Sequence, residues 1–206
     1  MLAPNPWGDR RRVRIGLLGG SFNPAHAGHR HVAETALRRL ALDQVWLLVS
    51  PQNPLKPLVG MAPQSQRLAG ARAVLGGHPR LIATDMESRF GTAYSAHTLE
   101  KLRLRFPKAR FVWLMGADNL GQMTHWLHWR RIFAAVPIAI LARAPYSRKA
   151  LAAPAAQAMA GSRRKTAGAW ALAAQKPPAW VFLHTRLHPA SATAIRARHH
   201  EFILKE

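Results

Sequence analysis

Short apolar runs ending on glycine or proline alternate along this chain with longer stretches whose apolar residues recur at helical spacing, and that alternation permits few folds. Residues 13–18 read as a buried strand that stops at Gly19-Gly20. Val32, Ala33, Ala36, Leu37 and Leu40 then follow at helical spacing, with Glu34 and Arg38 a favourable pair one turn apart. Residues 45–49 form a second expected strand, and the proline-rich stretch 51–63 must be irregular. Strands expected at 81–84, 111–115, 138–141 and 180–183 alternate with helices expected over 65–75, 95–106 and 126–135. Strands separated by helices make βαβ units, so the chain is expected to be an α/β protein with a doubly wound parallel sheet covered on both faces. In such sheets ligands bind beyond the carboxyl ends of the strands. The loops after Leu18, Val49, Thr84, Met115 and Leu183 are therefore expected to line one site.

The 206 residues, 49% of them apolar, suffice for one buried core. Residues 1–12 carry two prolines and little pattern and are expected as a loose or disordered tail, leaving one domain over 13–206. No apolar run is long enough to span a bilayer. The basic N-terminus lacks an export cleavage pattern, so no signal peptide is expected. Cysteine is absent, which excludes disulfides, a cysteine nucleophile and thiolate metal sites and fits a cytoplasmic protein.

Charge is the unusual property. Thirty Lys and Arg against nine Asp and Glu give +21, and no carboxylate occurs between Asn119 and His200. Such a surface attracts nucleotides, pyrophosphate, nucleic acid or anionic lipid without choosing among them. A solvated basic surface is a simpler reading than dedicated nucleic-acid binding, and no specific nucleic acid or membrane partner is expected. Residues 150–175 are alanine-rich with a basic break at Gly161-Ser162-Arg163-Arg164-Lys165, and read either as two short helices on the rim or as a mobile insert.

The segment Gly19-Gly20-Ser21-Phe22-Asn23-Pro24-Ala25-His26-Ala27-Gly28-His29 lies between the first strand and the first helix. Its glycines permit a tight turn and close approach of backbone N–H groups to a phosphate, and the helix offers its positive end to the same anion. His26 and His29 sit three apart, on one side of the first helical turn, placed to hydrogen-bond a triphosphate and stabilise charge as pyrophosphate leaves. The segment lacks the Gly-Lys-Ser/Thr ending of a P-loop and the glycine spacing of a dinucleotide fold. A zinc site would need more ligands than this pair supplies.

That stretch resembles the Gly-Gly-x-Phe-x-Pro-x-His-x-Gly-His element of the nucleotidyltransferase superfamily, which implies a Rossmann-like fold, with Gly20, Ser21 and Phe22 at the ATP phosphates and His26 and His29 as catalytic residues. Near the C-terminus, Ser191-Ala192-Thr193-Ala194-Ile195-Arg196 is similar to the superfamily's Ile-Ser-Ser-Thr-x-Ile-Arg motif, with Ala190 and Ala192 as departures. The resemblance implies phosphate contacts from Ser191, Thr193 and Arg196. Asn53-Pro54-Leu55-Lys56 resembles a Pro-Pro-His-Lys element without its histidine, which leaves Lys56 as a phosphate contact, with Arg67 as a weaker companion.

Two more stretches resemble the bacterial nicotinate-nucleotide adenylyltransferases within that superfamily. Gly116-Ala117-Asp118-Asn119 with Trp126 and Trp129 is similar to a Gly-x-Asp-Asn…Trp-x-x-Trp region. It implies Gly116 and Asp118 at a ribose and Trp126 stacked on a pyridine ring, while Trp129 belongs to the core. Asp85-Met86-Glu87 and Tyr94-Ser95-Ala96-His97-Thr98-Leu99 resemble Asp-x-Glu…Ser-Tyr-Thr-x-Asp-Thr-Leu, with Ser95 in place of Thr and His97 in place of Asp. Tyr94, Ser95 and the backbone amides of this loop would meet the nicotinate carboxylate.

The implied activity is transfer of AMP from ATP to nicotinic acid mononucleotide, with Mg²⁺ delivered on ATP and no metal site of the protein's own. Nicotinamide-mononucleotide and pantetheine-phosphate adenylyltransferases are the neighbouring alternatives. A basic nucleic-acid-binding protein on the same fold is the alternative from another class. Monomer and homodimer stay open.

Overall fold

The computed structural model describes residues 4–52, 59–142 and 147–185, together with Ala192 and Ile195. The order of elements is β1 (Arg14–Gly20), α1 (Ala27–Arg39), β2 (Gln44–Val49), α2 (Gln64–Leu75), β3 (Leu81–Thr84), α3 (Met86–Arg89), α4 (Ser95–Arg105), β4 (Arg110–Gly116), α5 (Ala117–Gln122), α6 (Trp129–Ala135), β5 (Ile138–Leu141), α7 (Ser147–Leu151), α8 (Pro154–Ala158) and β6 (Trp180–Leu183). Each apolar run read as a strand is one.

The strands form a single sheet in the order β3-β2-β1-β4-β5-β6, parallel at every pairing. Side chains alternate between its faces. Leu17, Trp46, Trp113 and Trp180 enter one core, and Leu18, Leu47, Leu114 and Val181 enter the other. Both faces are therefore covered, as a doubly wound sheet requires. The chain winds outward from β1 to β3, then crosses back to β4 and winds the other way. The reversal between β1 and β4 opens a crevice at their carboxyl ends.

One local expectation differs from what is observed, and two segments left open by the sequence are described more closely. The helix expected over 126–135 begins only at Trp129, because His128 stands at φ 54 and breaks the helical path; residues Met123–His125 form a separate 3-10 turn. Trp126 and Trp129 thus belong to different elements. The alanine-rich segment is an ordered crossover to β6, containing α7, α8 and a 3-10 helix over Thr166–Ala174. Ala169 and Leu172 of that helix are buried, spaced at the three residues per turn that a 3-10 helix has. Residues 4–12 carry no helix or strand, yet they are tied to the body: Arg105 Nη1 donates to the Pro6 carbonyl at 2.8 Å. No described helix is long and apolar enough to cross a membrane.

Candidate active site

The turn after β1 is built by close packing. A Cβ on Gly19 would lie 2.8 Å from Cη2 of Trp113, so only glycine lets that indole pass beneath the strand end. Phe22 then takes a left-handed backbone, φ 49, and buries its ring. That ring meets the edge of His29 with centroids 4.9 Å apart. Phe22 therefore helps to hold the His29 imidazole in place.

His26 and His29 cap the helix they begin. The Gly28 N–H donates to His26 Nδ1 at 3.1 Å, and the His26 N–H donates to His29 Nδ1 at 3.2 Å. This is a capping box in which imidazoles replace the usual hydroxyl and carboxylate. The two rings lie 3.8 Å apart at an interplanar angle of 33°. A ring nitrogen that accepts a hydrogen bond carries no proton, so each neutral ring must carry its proton on Nε2. The caps thus fix the tautomer of both histidines, leaving Nε2–H as the donor of each ring. Two donors without a formal charge stand at the positive end of α1.

Neighbouring loops are bonded to this turn. Gly20 accepts from the Ser50 N–H at 3.0 Å. Asn23 Nδ2 donates to the Gly60 carbonyl at 2.8 Å, and Asn23 Oδ1 accepts from the Ala62 N–H at 3.2 Å. Gln64 Nε2 donates to the Val49 carbonyl at 2.7 Å, and Ser88 Oγ donates to Gln64 Oε1 at 2.7 Å. The loops after β1, β2 and β3 are joined by these bonds.

Arg67 is the centre of that network, and its role differs from the phosphate contact expected. It is 4% exposed. Its guanidinium donates to the carbonyls of Ala62 (2.8 Å), Ser21 (2.7 Å), Ser50 (2.8 Å) and Pro51 (2.9 Å). With its donors turned to backbone oxygens, it clamps the ends of β1 and β2 rather than a ligand. Burial pushes its guanidinium below the ordinary value, and among the described residues no carboxylate pairs with it. Its charge therefore adds to the positive potential under the turn. A signal for this role lay in α2, where Arg67 shares the buried face with Ala71 and Leu75 at helical spacing. Asn23 gave no such signal.

On the other side of the crevice, β4 ends at Gly116 and α5 begins, with half-buried Asp118 in its first turn. Trp126 is half-buried and meets Trp113 edge-on at 6.5 Å, whereas Trp129 lies in the core. Buried Trp113 Nε1 and Ser50 Oγ have no partner among the described residues. Both belong to residues packed against this end of the sheet. Tyr94 is the N-cap of α4 and Ser95 its first residue; no side chain caps that helix. The first-turn amides of α4 are thus not closed off by a side chain and suit a carboxylate. His97, where the resembled pattern has Asp, lies between Tyr94 and His128, 5.9 Å from each ring. Lys56, Ser191, Thr193 and Arg196 lie outside the described residues.

Beneath the α4 loop is a buried carboxyl, Glu87, to which the sequence motif assigns no role. Glu87 is 4% exposed, and burial pushes its carboxyl up from 4.5 to about 7, against the opposing effect of a hydrogen bond from Thr98 Oγ1 at 3.2 Å. Thr92 and Thr98 hydroxyls meet at 2.9 Å and complete the cluster. The folded state binds this proton more tightly than the unfolded chain. Its stabilising contribution is therefore complete below pH 4.5 and is lost as pH rises to about 7. Glu87→Gln removes the ionisation while keeping the shape. The variant is expected to be more stable than the parent at pH 8 by about 3 kcal/mol, the shift converted at about 1.36 kcal/mol per unit. Urea unfolding at pH 5 and pH 8 checks this: equal stability of the two proteins at pH 8 contradicts it.

The cytidylyltransferase-like family model matches residues 17–198. The chain is 54% identical over 191 residues to a probable nicotinate-nucleotide adenylyltransferase of Gluconacetobacter diazotrophicus, covering 93% of this chain and 88% of that one. It is 53% identical to the probable nicotinate-nucleotide adenylyltransferase of Gluconobacter oxydans, covering 89% and 94%. Among solved structures, Plasmodium falciparum nicotinic acid mononucleotide adenylyltransferase complexed with NaAD has the same fold, with a TM-score of 0.66 at 14% identity over 90% of this chain and 83% of that one.

Proposed function

This chain belongs to the nicotinate-nucleotide adenylyltransferases of the cytidylyltransferase-like family, and we propose on that premise that it transfers AMP from ATP to nicotinic acid mononucleotide, giving nicotinic acid adenine dinucleotide and pyrophosphate. The observation that carries the residue assignment is the reciprocal cap of His26 and His29, which engages Nδ1 of both rings and sets Nε2 as the protonated nitrogen of each.

The reaction joins a phosphate oxygen of the mononucleotide to the α-phosphorus of ATP and breaks the bond from that phosphorus to the pyrophosphate oxygen. The attacking phosphate is already an anion, so no general base is needed. Alignment and charge stabilisation supply the catalysis. The Nε2–H groups of His26 and His29 donate to the ATP phosphates, with backbone groups of Gly20 and Ser21 beside them. Lys56, Ser191, Thr193 and Arg196 are assigned to the same phosphates on the sequence motifs. Asp118 receives ribose hydroxyls, Trp126 stacks on the pyridine ring, and the amides at Tyr94-Ser95 meet the nicotinate carboxylate.

Mg²⁺ brought in with ATP would neutralise phosphate charge. Phosphate oxygens and waters would be its main ligands, as suits that ion. A chain without cysteine suits a reducing compartment, which supports placing it in the cytoplasm.

The test compares turnover on the acid and the amide mononucleotide at saturating ATP. An uncapped helix start favours the carboxylate by charge, so kcat/KM is expected to be at least about tenfold higher for the acid. Equal values would remove the carboxylate contact at α4, and no turnover of either would remove the reaction.

A further inference from the structure

A cluster of cations lies at the opposite end of the sheet from the crevice. Arg12, Val13, Arg14, Asp43, Lys108 and Arg110 line an open cavity of about 510 Å³ at the amino ends of β1 and β4. Arg14 and Gly20 are the two ends of β1, six residue steps and about 20 Å apart, so this cavity is distinct from the turn after β1.

Four cations face one carboxylate there, and that carboxylate is already committed. Asp43 accepts from the Arg14 N–H at 2.7 Å and from its guanidinium at 3.1 and 2.7 Å. These bonds hold the Asp43 carboxyl below the ordinary carboxylate range, with Arg80 adding to the effect. Among the described residues no carboxylate pairs with Arg12, Lys108 or Arg110. Arg14 and Arg110 are also register partners on adjacent strands, an arrangement in which like charges repel. A sheet that places cations side by side around a hollow gains stability when an anion enters it.

We propose that this cavity is a second anion site, taking a compact polyphosphate such as pyrophosphate, tripolyphosphate or the phosphate tail of a nucleotide. Its volume lies in the range of small-ligand pockets, about 300–1,000 Å³. Its cations converge on one hollow, which matches several charges close together. A nucleic-acid strand spaces its phosphates along a track and is matched by cations in a row. The cavity itself stands on its own residues; the count of equivalents in the test rests on the ATP-phosphate site assigned above.

The test is calorimetric titration of the whole protein with inorganic tripolyphosphate. Two equivalents are expected for the unaltered protein and one for Lys108→Ala/Arg110→Ala, with turnover within about twofold of the parent. Arg12→Ala, outside regular structure, is expected to weaken the same site about tenfold. Arg72→Ala/Arg103→Ala removes equal charge from exposed helix positions elsewhere and is expected to keep both equivalents. A single equivalent in the parent that survives in the Lys108/Arg110 variant, an unchanged count in that variant, or an equal loss in the control overturns the proposal; a single equivalent that the variant abolishes instead overturns the ATP-phosphate site assigned above. So does a single-stranded RNA that needs Lys108 and Arg110 where tripolyphosphate does not.

Discussion

Replacing His26 by asparagine is expected to leave the protein as stable as the parent while lowering kcat by about 10²–10³, the effect of removing one preorganised donor from a charge-stabilising site. Asparagine is among the best N-cap residues, and its side-chain oxygen takes over the bond that His26 Nδ1 accepts from the Gly28 N–H. It has nothing in the place of Nε2–H. The substitution therefore separates the two jobs of this imidazole. His26→Ala loses both, so it is expected to show the same fall in kcat together with a stability loss of about 1 kcal/mol. His29→Gln is the complementary case: its amide nitrogen reaches the position of Nε2, and part of the rate should return relative to His29→Ala. Steady-state rates at saturating substrates, with thermal unfolding alongside, check all four. A wild-type rate in His26→Asn would mean that the ring serves only the helix.

The second large effect concerns Arg67. Arg67→Met fills a similar volume but leaves the carbonyls of Ser21, Ser50, Pro51 and Ala62 without the donor they share. A buried polar group that loses its partner costs about 1–3 kcal/mol. Several of them together are expected to destabilise the protein by about 4 kcal/mol, water recovering some of the loss at the partly open positions. The damage would also reach the turn after β1, where Ser21 follows Gly19 and Gly20. A rise in KM for ATP of about tenfold is expected, with a smaller change for the mononucleotide. Arg67→Lys keeps the charge but has no planar fork, so it should restore little. A loss below 1 kcal/mol in urea unfolding would show that the clamp contributes nothing measurable.

Much of the architecture was legible because its signals are local. Each strand is a short apolar run closed by glycine, proline or a turn, and the parallel sheet follows from helices falling between strands. The Gly-Gly turn with His26 and His29 was legible for the same reason. What was not legible depends on contacts between distant segments. The helix expected from Trp126 starts instead at Trp129, because His128 adopts a left-handed backbone that apolar spacing does not report. The resemblance places Phe22 at the ATP phosphates, but the packing of its ring against His29 appears only in three dimensions. Arg67 read as a companion phosphate contact, and only the meeting of β1, β2 and α2 turns its donors onto four carbonyls. Glu87 is similar: nothing in its neighbours along the chain says that Thr92 and Thr98 will enclose it.

The account stands on the paired imidazoles as the ATP-phosphate site of an adenylyl transfer. A crystal structure with a non-hydrolysable ATP analogue and nicotinic acid mononucleotide tests this most directly. The account places the triphosphate within hydrogen-bonding distance of Nε2 of both His26 and His29, with the mononucleotide phosphate in line behind the α-phosphorus. A triphosphate seated away from the start of α1, with both imidazoles turned toward protein atoms, would contradict it.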